Sequence, residues 1–114
     1  MRFLFLIHGD TEAEAAMSSD ERRAMVGEYI AYSDMLRERG AYVHGEALSA
    51  TEGAAVVRPG DVPLVTDGPF VETKEGVGGF YVVECDNRDD AIELAGKIPR
   101  SPGVAVEVLT IVDI

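Results

Sequence analysis

The order in which strand and helix patterns follow one another constrains the fold of this chain most. Residues 2–8, RFLFLIH, form a continuous apolar run of strand length, which is typical of a strand covered on both faces or central in a sheet. A helix pattern follows, then four more strand patterns, a second helix pattern and a last strand. The chain therefore predicts two strand-helix-strand units with an additional pair of strands between them.

The first helix has the clearest pattern. Ser18 with Glu21 three residues later forms a capping box, and Gly40 lies where a helix C-terminus favours glycine. Between them apolar residues recur at steps of three and four, which predicts one buried helix face. These residues are Met25, Val26, Tyr29, Ile30, Tyr32 and Leu36.

The other elements follow from strand composition and breakers. We expect a second helix over 88–98, with Asp86 or Asn87 as its N-cap and Pro99 as its stop. Residues 9–17 have room for a short helical turn. The predicted strands after the first cover 41–48, 54–58, 62–66, 79–85 and 103–114, and the third and fourth are joined by the hairpin connection PGD.

This order predicts an α+β fold of the ferredoxin-like type, an antiparallel sheet with two helices on one face and an inserted hairpin. The strands carry Phe, Leu, Ile and Val on both alternations, so the second face of the sheet also needs a cover. A second copy of the chain is the simplest cover, and we expect a homodimer whose sheets pack face to face.

Composition limits the classes of partner. The 114 residues fit one domain over 1–114, and 21 acidic against 10 basic residues give a formal charge of −11, which disfavours nucleic acid and anionic membrane surfaces. No apolar run approaches the roughly 20 residues that span a bilayer. A single Cys85 suits a reducing compartment, and we expect a cytoplasmic protein with no membrane and no nucleic-acid partner.

The stretch LVTDGPFVETKEG, residues 64–76, is the main candidate for a site. Asp67-Gly68 resembles a hairpin turn, but Pro69 lacks the amide that would close it, so we expect an open bend. Asp67 then either faces a cavity or caps the bend through a backbone amide. Glu72, Lys74 and Glu75 could form an acid/base or substrate-orienting cluster with it, or a solvated charged loop.

The two histidines each precede a carboxylate by two residues, as His8-x-Asp10 and His44-x-Glu46. This spacing is compatible with metal ligation or a histidine-carboxylate dyad, but it arises often by chance, and no metal is assigned. His8 is the better general-base candidate, and His44 is compatible with simple exposure. No cofactor can be named, since the chain has no phosphate loop, paired CxxC or dinucleotide fingerprint, and GVGGF at 76–80 precedes a strand instead of opening a helix.

Several segments in order resemble the DGPF branch of the YCII-related proteins. They are FLFLIHGD at the start, GEAL at 45–48, TDGPFVETKE at 66–75, GGFYVVECD at 78–86, KIP at 97–99 and VEV at 106–108. The resemblance covers nearly the whole chain and implies a dimeric α+β barrel. Members are bacterial, mostly uncharacterised, often encoded beside extracytoplasmic-function sigma factors, and related to isomerases, monooxygenases and dismutases, which is analogy of fold only.

The resemblance places Asp67, Gly68, Pro69, Phe70, Glu72, Lys74 and Glu75 on the family motif, together with Gly45 and Glu46. Other branches are thought to use a histidine-aspartate pair with the histidine early in the first helix. This chain has no histidine there, and His8 with Asp67 is the substitute. It also has Leu109-Thr110 where members often carry Arg-Pro.

Two functions stay open. In the first, a cleft between sheet and helices binds a small molecule, with or without catalysis: Asp67, His8, Glu72 and Lys74 are the candidate catalytic residues. Candidate substrate-binding residues are Glu46, Phe70, Glu75 and Tyr81. In the second, the protein is a regulatory or ligand-sensing module that acts through protein contacts, and the motif is a structural kink.

Overall fold

The computed structural model describes residues 1–49, 52–68 and 75–114, with the backbone alone at Glu75. The described elements, in chain order, are β1 (Arg2–Asp10), α1 (Thr11–Ala15), α2 (Ser19–Glu38), β2 (Tyr42–Ala47), β3 (Ala55–Arg58), β4 (Leu64–Asp67), β5 (Glu75–Glu84), α3 (Arg88–Ala95) and β6 (Ala105–Thr110). The short turn expected in residues 9–17 is the five-residue helix α1.

Four strands form one antiparallel sheet in the order β2-β5-β1-β6, and β3 pairs with β4 in a separate two-stranded sheet. Without the β3–β4 hairpin, this is the strand order of a ferredoxin-like fold. The predicted α+β class with an antiparallel sheet and an inserted hairpin is confirmed.

Strand β1 shows why one face of the sheet is covered. Its side chains alternate: Phe3, Phe5 and Ile7 are buried, while Leu4 and Leu6 between them are half-exposed. The buried side faces both long helices, because the core joins these residues to Tyr32 and Leu36 of α2 and to Ala91 and Leu94 of α3. The Tyr32 hydroxyl also donates to the Leu94 carbonyl at 2.8 Å, which ties α2 to α3.

The helix caps follow the sequence closely at α2. Ser18 Oγ accepts from the Glu21 amide and Glu21 Oε1 accepts from the Ser18 amide, both at 3.1 Å, so the predicted capping box is confirmed. Gly40 follows the C-cap residue Arg39 with φ +70°, a conformation that favours glycine.

Helix α3 begins as predicted, with Asn87 as its N-cap, but the expectation that it extends to residue 98 is wrong. It ends at Ala95, and the amides of Lys97 and Ile98 bond three residues back, to Leu94 and Ala95. The chain therefore tightens into turns before Pro99 is reached.

Several strand boundaries also differ from the prediction, including those of β5 and β6. Strand β5 begins at Glu75 instead of residue 79, and the glycine-rich segment lies inside it. Ile7 pairs with Gly79 and His8 with Val77, so Gly78 is an extra residue that shifts the register, as in a β-bulge. Strand β6 ends at Thr110 and does not continue to the C-terminus.

Strand β4 begins later than predicted, at Leu64, and includes Asp67, which pairs with Ala55 of β3. The Gly68 amide then donates to the Ala54 carbonyl at 2.8 Å, which extends the hairpin by one more bond. The open bend predicted at Pro69 lies outside the described residues.

The second face of the four-stranded sheet carries Leu4, Leu6, Phe80, Val82 and Leu109, which are register neighbours across β1, β5 and β6.

Within the described residues, no helix is long and apolar enough to cross a membrane.

Candidate functional site

A cavity of about 400 Å³ lies between the part of α2 from Met25 to Arg37 and the covered face of the sheet. Its size is within the range of small-molecule sites. The described residues that line it are Ile7, Gly9, Glu14, Met25, Val26, Tyr29, Ile30, Ser33, Arg37, Tyr42, Gly45, Glu46, Ala47, Gly78, Gly79, Tyr81 and Ser101. We call this cavity the α2 cleft.

Missing side chains on the sheet help to make the α2 cleft. Glycines occupy four lining positions on β1, β2 and β5, namely Gly9, Gly45, Gly78 and Gly79. At Gly45 a Cβ would come within 2.6 Å of the Tyr81 ring, so only glycine lets that ring lie across β2. At Gly9 a Cβ would overlap the Glu14 carboxylate. Two of these glycines therefore make room for side chains that line the cleft.

The apolar residues of α2 are buried to different extents. Tyr32 and Leu36 are 5% and 0% exposed, whereas Val26 and Ile30 are 50% and 59% exposed. The expectation of one buried apolar face on α2 is therefore wrong at Val26 and Ile30. There the opposing sheet positions are glycines, so the apolar side chains border a cavity instead of entering the core.

The deepest polar groups of the α2 cleft form a hydrogen-bonded chain. Ser33 Oγ donates to the Tyr29 carbonyl at 3.0 Å and lies 2.8 Å from the Tyr81 hydroxyl. The Tyr81 ring is held edge-on by Tyr32, at 5.3 Å between centroids, and by Tyr42, at 6.3 Å. Ser101, another lining residue, interacts with the Tyr29 side chain in a way that acts to lower the pKa of that phenol. The aromatic and hydroxyl groups are thus fixed in position.

Burial keeps these tyrosines protonated. It raises the pKa of Tyr81 above its ordinary value, although the hydrogen bond with Ser33 opposes the rise. Burial also raises the pKa of Tyr29, and the nearby Tyr81, Glu14 and Glu28 add to the rise. At neutral pH both side chains are therefore hydrogen-bonding phenols and not bases.

The charged side chains at the α2 cleft differ in the contacts that they already make with other parts of the protein. Arg37 Nη1 lies 3.2 Å from Asp34 Oδ1, and its guanidinium stacks on the Tyr42 ring at 4.2 Å. Glu14 lies at the opposite end, beside Gly9, and its backbone carbonyl accepts from Arg22 at 2.9 Å. The cleft can hold a small organic molecule by apolar contact and a few hydroxyl or carboxylate contacts.

Two predicted site residues lie at the α2 cleft. Tyr81 lines it with the ring and hydroxyl described above. Glu46 also lines it, and its Oε2 is 3.9 Å from His44 Nε2. His44 is exposed and packs near the Phe80 ring on the second face of the sheet.

Two other predicted residues lie elsewhere. His8 is half-buried on β1, with Nε2 3.2 Å from Glu107 Oε1 of β6. Asp67 is exposed at the end of β4, in the separate hairpin sheet. Neither is among the described lining residues of the cleft.

Phe70, Glu72 and Lys74 lie outside the described residues, as does the side chain of Glu75. The backbone of Glu75 pairs with Asp10, and Gly76 pairs with Gly9, a lining residue of the α2 cleft. Glu75, the last residue of the predicted motif, therefore lies where the two central strands of the sheet end, next to the Glu14 end of the cleft.

The sequence did not single out Glu14, Tyr29, Ser33 or Ser101 as site residues. Their signal is indirect: glycine inside a strand often marks a place where another group approaches closely. Gly45 and Gly79 lie in predicted strands, and Gly9 directly follows one. The sequence does not say which helix lies above them. Within the described residues, no group of three or more His, Cys, Asp and Glu side chains is placed to hold a metal ion.

Comparisons with known proteins place the fold in a family context. The family model of the YCII-related domain matches residues 1–114. An uncharacterised protein of Rhizobium meliloti is 31% identical over 102 residues, covering 89% of this chain and 82% of the relative. That relative's name assigns no activity.

Proposed function

The chain belongs to the YCII-related family, and from that premise we propose that it binds a small molecule in the α2 cleft. One observation carries the proposal: apolar side chains in the middle of α2 border a cavity lined by sheet glycines, instead of packing into the core. Val26 and Ile30 are exposed beside this cavity, and apolar surface that lines a concave cavity is typical of small-molecule sites.

The DGPF motif supports this location. Its last residues enter β5 beside Gly9, and β5 continues through Gly78, Gly79 and Tyr81 along the cleft. We propose that Phe70, Glu72 and Lys74 take part in ligand binding, that Tyr81 contacts the ligand, and that Glu46 does so through its backbone, because its side chain pairs with His44 beside Phe80. Asp67 and His8 would then act on shape or assembly, because neither lines the cleft.

We further propose that two chains associate through the second face of the four-stranded sheet, as in a dimeric α+β barrel in the cytoplasm. This face presents Leu4, Leu6, Phe80, Val82 and Leu109 together, and polar pairs flank them, His8 with Glu107 and His44 with Glu46. An apolar centre with a polar rim is the usual anatomy of a protein interface.

A thermal-shift screen of metabolites tests the site. A ligand that binds the native state raises the melting temperature, by an amount that grows with its concentration. Val26→Trp should narrow the α2 cleft and reduce the shift of a true ligand, whereas Ala24→Trp, on the exposed surface of the same helix, should not. Hits that are insensitive to Val26→Trp, or a screen with no hits, would contradict the proposal.

A second candidate function is contact with another protein through the β3–β4 hairpin. Val57 and Val65 pair across the hairpin and are 56% and 61% exposed, and Val62 is 88% exposed. An isolated two-stranded hairpin is marginal in water, and covering it would stabilise it. If the hairpin contacts another protein, the double variant Val57→Thr with Val65→Thr should no longer bind that protein. If the α2 cleft is the functional site, the same variant should keep the melting-temperature shifts caused by metabolites.

A further inference from the structure

We infer that the ligand of the α2 cleft has an apolar body and a cationic, hydrogen-bond-donating head, of which a protonated amine is the simplest form. The inference rests on the proposed function and adds the chemical class of the ligand. It follows from counting which hydrogen-bonding groups of the cleft still have protons to donate.

The hydroxyl of Tyr81 has no proton to offer. Ser33 has a single hydroxyl proton, and it goes to the Tyr29 carbonyl at 3.0 Å, since a carbonyl can only accept. The 2.8 Å contact between Ser33 Oγ and Tyr81 must therefore use the Tyr81 proton. What Tyr81 presents to the cleft is a lone pair, so it accepts from a ligand.

Glu14 adds a second acceptor, and a negative charge. Its carboxylate lies in the space that a Cβ at Gly9 would need, at one end of the lining. Glu14 and Tyr81 both raise the pKa of Tyr29, so each has an electrostatic effect on that phenol. A donor beside Gly9 finds the charged acceptor Glu14, and a donor beside Ser33 finds the lone pair of Tyr81.

The cation of the lining is already engaged. Arg37 pairs with Asp34 and stacks on Tyr42, so an anionic ligand would have to compete for it. An anion would also meet Glu14 and the field of a chain with formal charge −11. The described side chains thus favour a cation over an anion of the same shape.

The body of the ligand is set by the opposite wall. Met25, Val26 and Ile30 of α2 line the cleft with aliphatic groups, and the two last are exposed. A compact aryl or alkyl group of the ligand would cover these side chains, and removing their apolar surface from water would favour binding. An amine without such a body should bind weakly.

Three probes with the same aryl body and different heads test the class: phenethylamine, phenethyl alcohol and hydrocinnamate. Dissociation constants from ligand-detected NMR should rank the amine tightest and the carboxylate weakest. Glu14→Gln should weaken the amine about fivefold, the effect of losing one partly exposed charge pair, and leave the alcohol unchanged. The matched control Glu38→Gln, at the exposed end of α2, should change none of them.

A second variant tests the acceptor at Tyr81. Ser33→Ala removes the group that takes the Tyr81 proton, so the hydroxyl becomes a donor to the cleft and hydrocinnamate should bind more tightly than it does to the wild type. Equal or tighter binding of hydrocinnamate than of the amine to the wild type would overturn the inference. If no probe binds while the metabolite screen yields hits sensitive to Val26→Trp, the ligand class is wrong and the proposed site stands.

Discussion

At the scale of single residues, the tyrosine cluster links the core to the α2 cleft. Tyr32 is buried between the helices, and its ring meets the edge of Tyr81, which lines the cleft. The position of Tyr81 therefore depends on the packing of a neighbour that is itself part of the core. Substitutions at Tyr32 should therefore change the free energy of unfolding, and substitutions at Tyr81 should change the affinity for the ligand.

Tyr32→Phe should lower the free energy of unfolding by about 1 kcal/mol, the usual net value of one hydrogen bond. The cost stays small because the Leu94 carbonyl also accepts from the Lys97 amide at 3.1 Å. Urea denaturation measures it. Tyr42→Phe is the matched control, since the contacts described for Tyr42 are made by its ring, and an equal loss in both variants would contradict the role of the hydrogen bond.

Alkaline pH should destabilise the protein through the same side chains. Burial raises the pKa of Tyr32 well above its ordinary value, and the pKa values of Tyr29 and Tyr81 are raised as well. The stability that comes from keeping these phenols neutral is fully present below the unfolded pKa of about 10 and is lost as pH rises toward the folded values. Urea midpoints above pH 10 should fall less steeply for Tyr32→Phe; identical slopes would contradict this cause.

At the scale of elements, α2 has to be held firmly at its N-terminus, because its first half has little core beneath it. Ser18→Ala should cost about 1 kcal/mol of stability, since the Glu21 amide loses its acceptor. Ser18→Thr keeps a hydroxyl and should recover most of the loss. Chemical denaturation of the three proteins measures this, and a stable Ser18→Ala protein would show that packing alone holds this end.

Local chemistry explains which elements the sequence could predict. The capping box at Ser18, the glycine after Arg39 and the alternation in β1 are properties of a few neighbouring residues, and each is found in the structure. The end of α3 and the start of β5 depend on partners distant in sequence: β5 extends back to Glu75 because Asp10, Gly9 and His8 of β1 pair with it.

The candidate site was predictable only in part for the same reason. The sequence indicated Tyr81 and Glu46 and a cleft between sheet and helices, and the structure places both residues at such a cleft. It could not indicate Glu14 or Ser33, whose roles arise where α1 and α2 meet the glycines of the sheet. Nor could the sequence show that Asp67 lies away from the cleft, because this follows from the pairing of β3 with β4 in a separate sheet.

At the scale of the whole molecule, the second sheet face is the surface through which we propose that two copies associate. If two copies pack through it, light scattering after size exclusion should give twice the chain mass of 12.3 kDa. Phe80→Glu puts a charge at the centre of that face and should give a folded monomer. Val112→Glu, at an exposed position beyond β6, should stay dimeric; a monomeric wild type would contradict the assembly.

The most direct test of the central claim is an amide NMR titration of the isotope-labelled protein with the best hit of the metabolite screen. We expect the largest shift changes at the residues that line the α2 cleft, with Gly9, Tyr29, Ser33, Gly79 and Tyr81 prominent among them. Changes confined to the β3–β4 hairpin or to the second face of the sheet would contradict the claim that this cleft is the binding site.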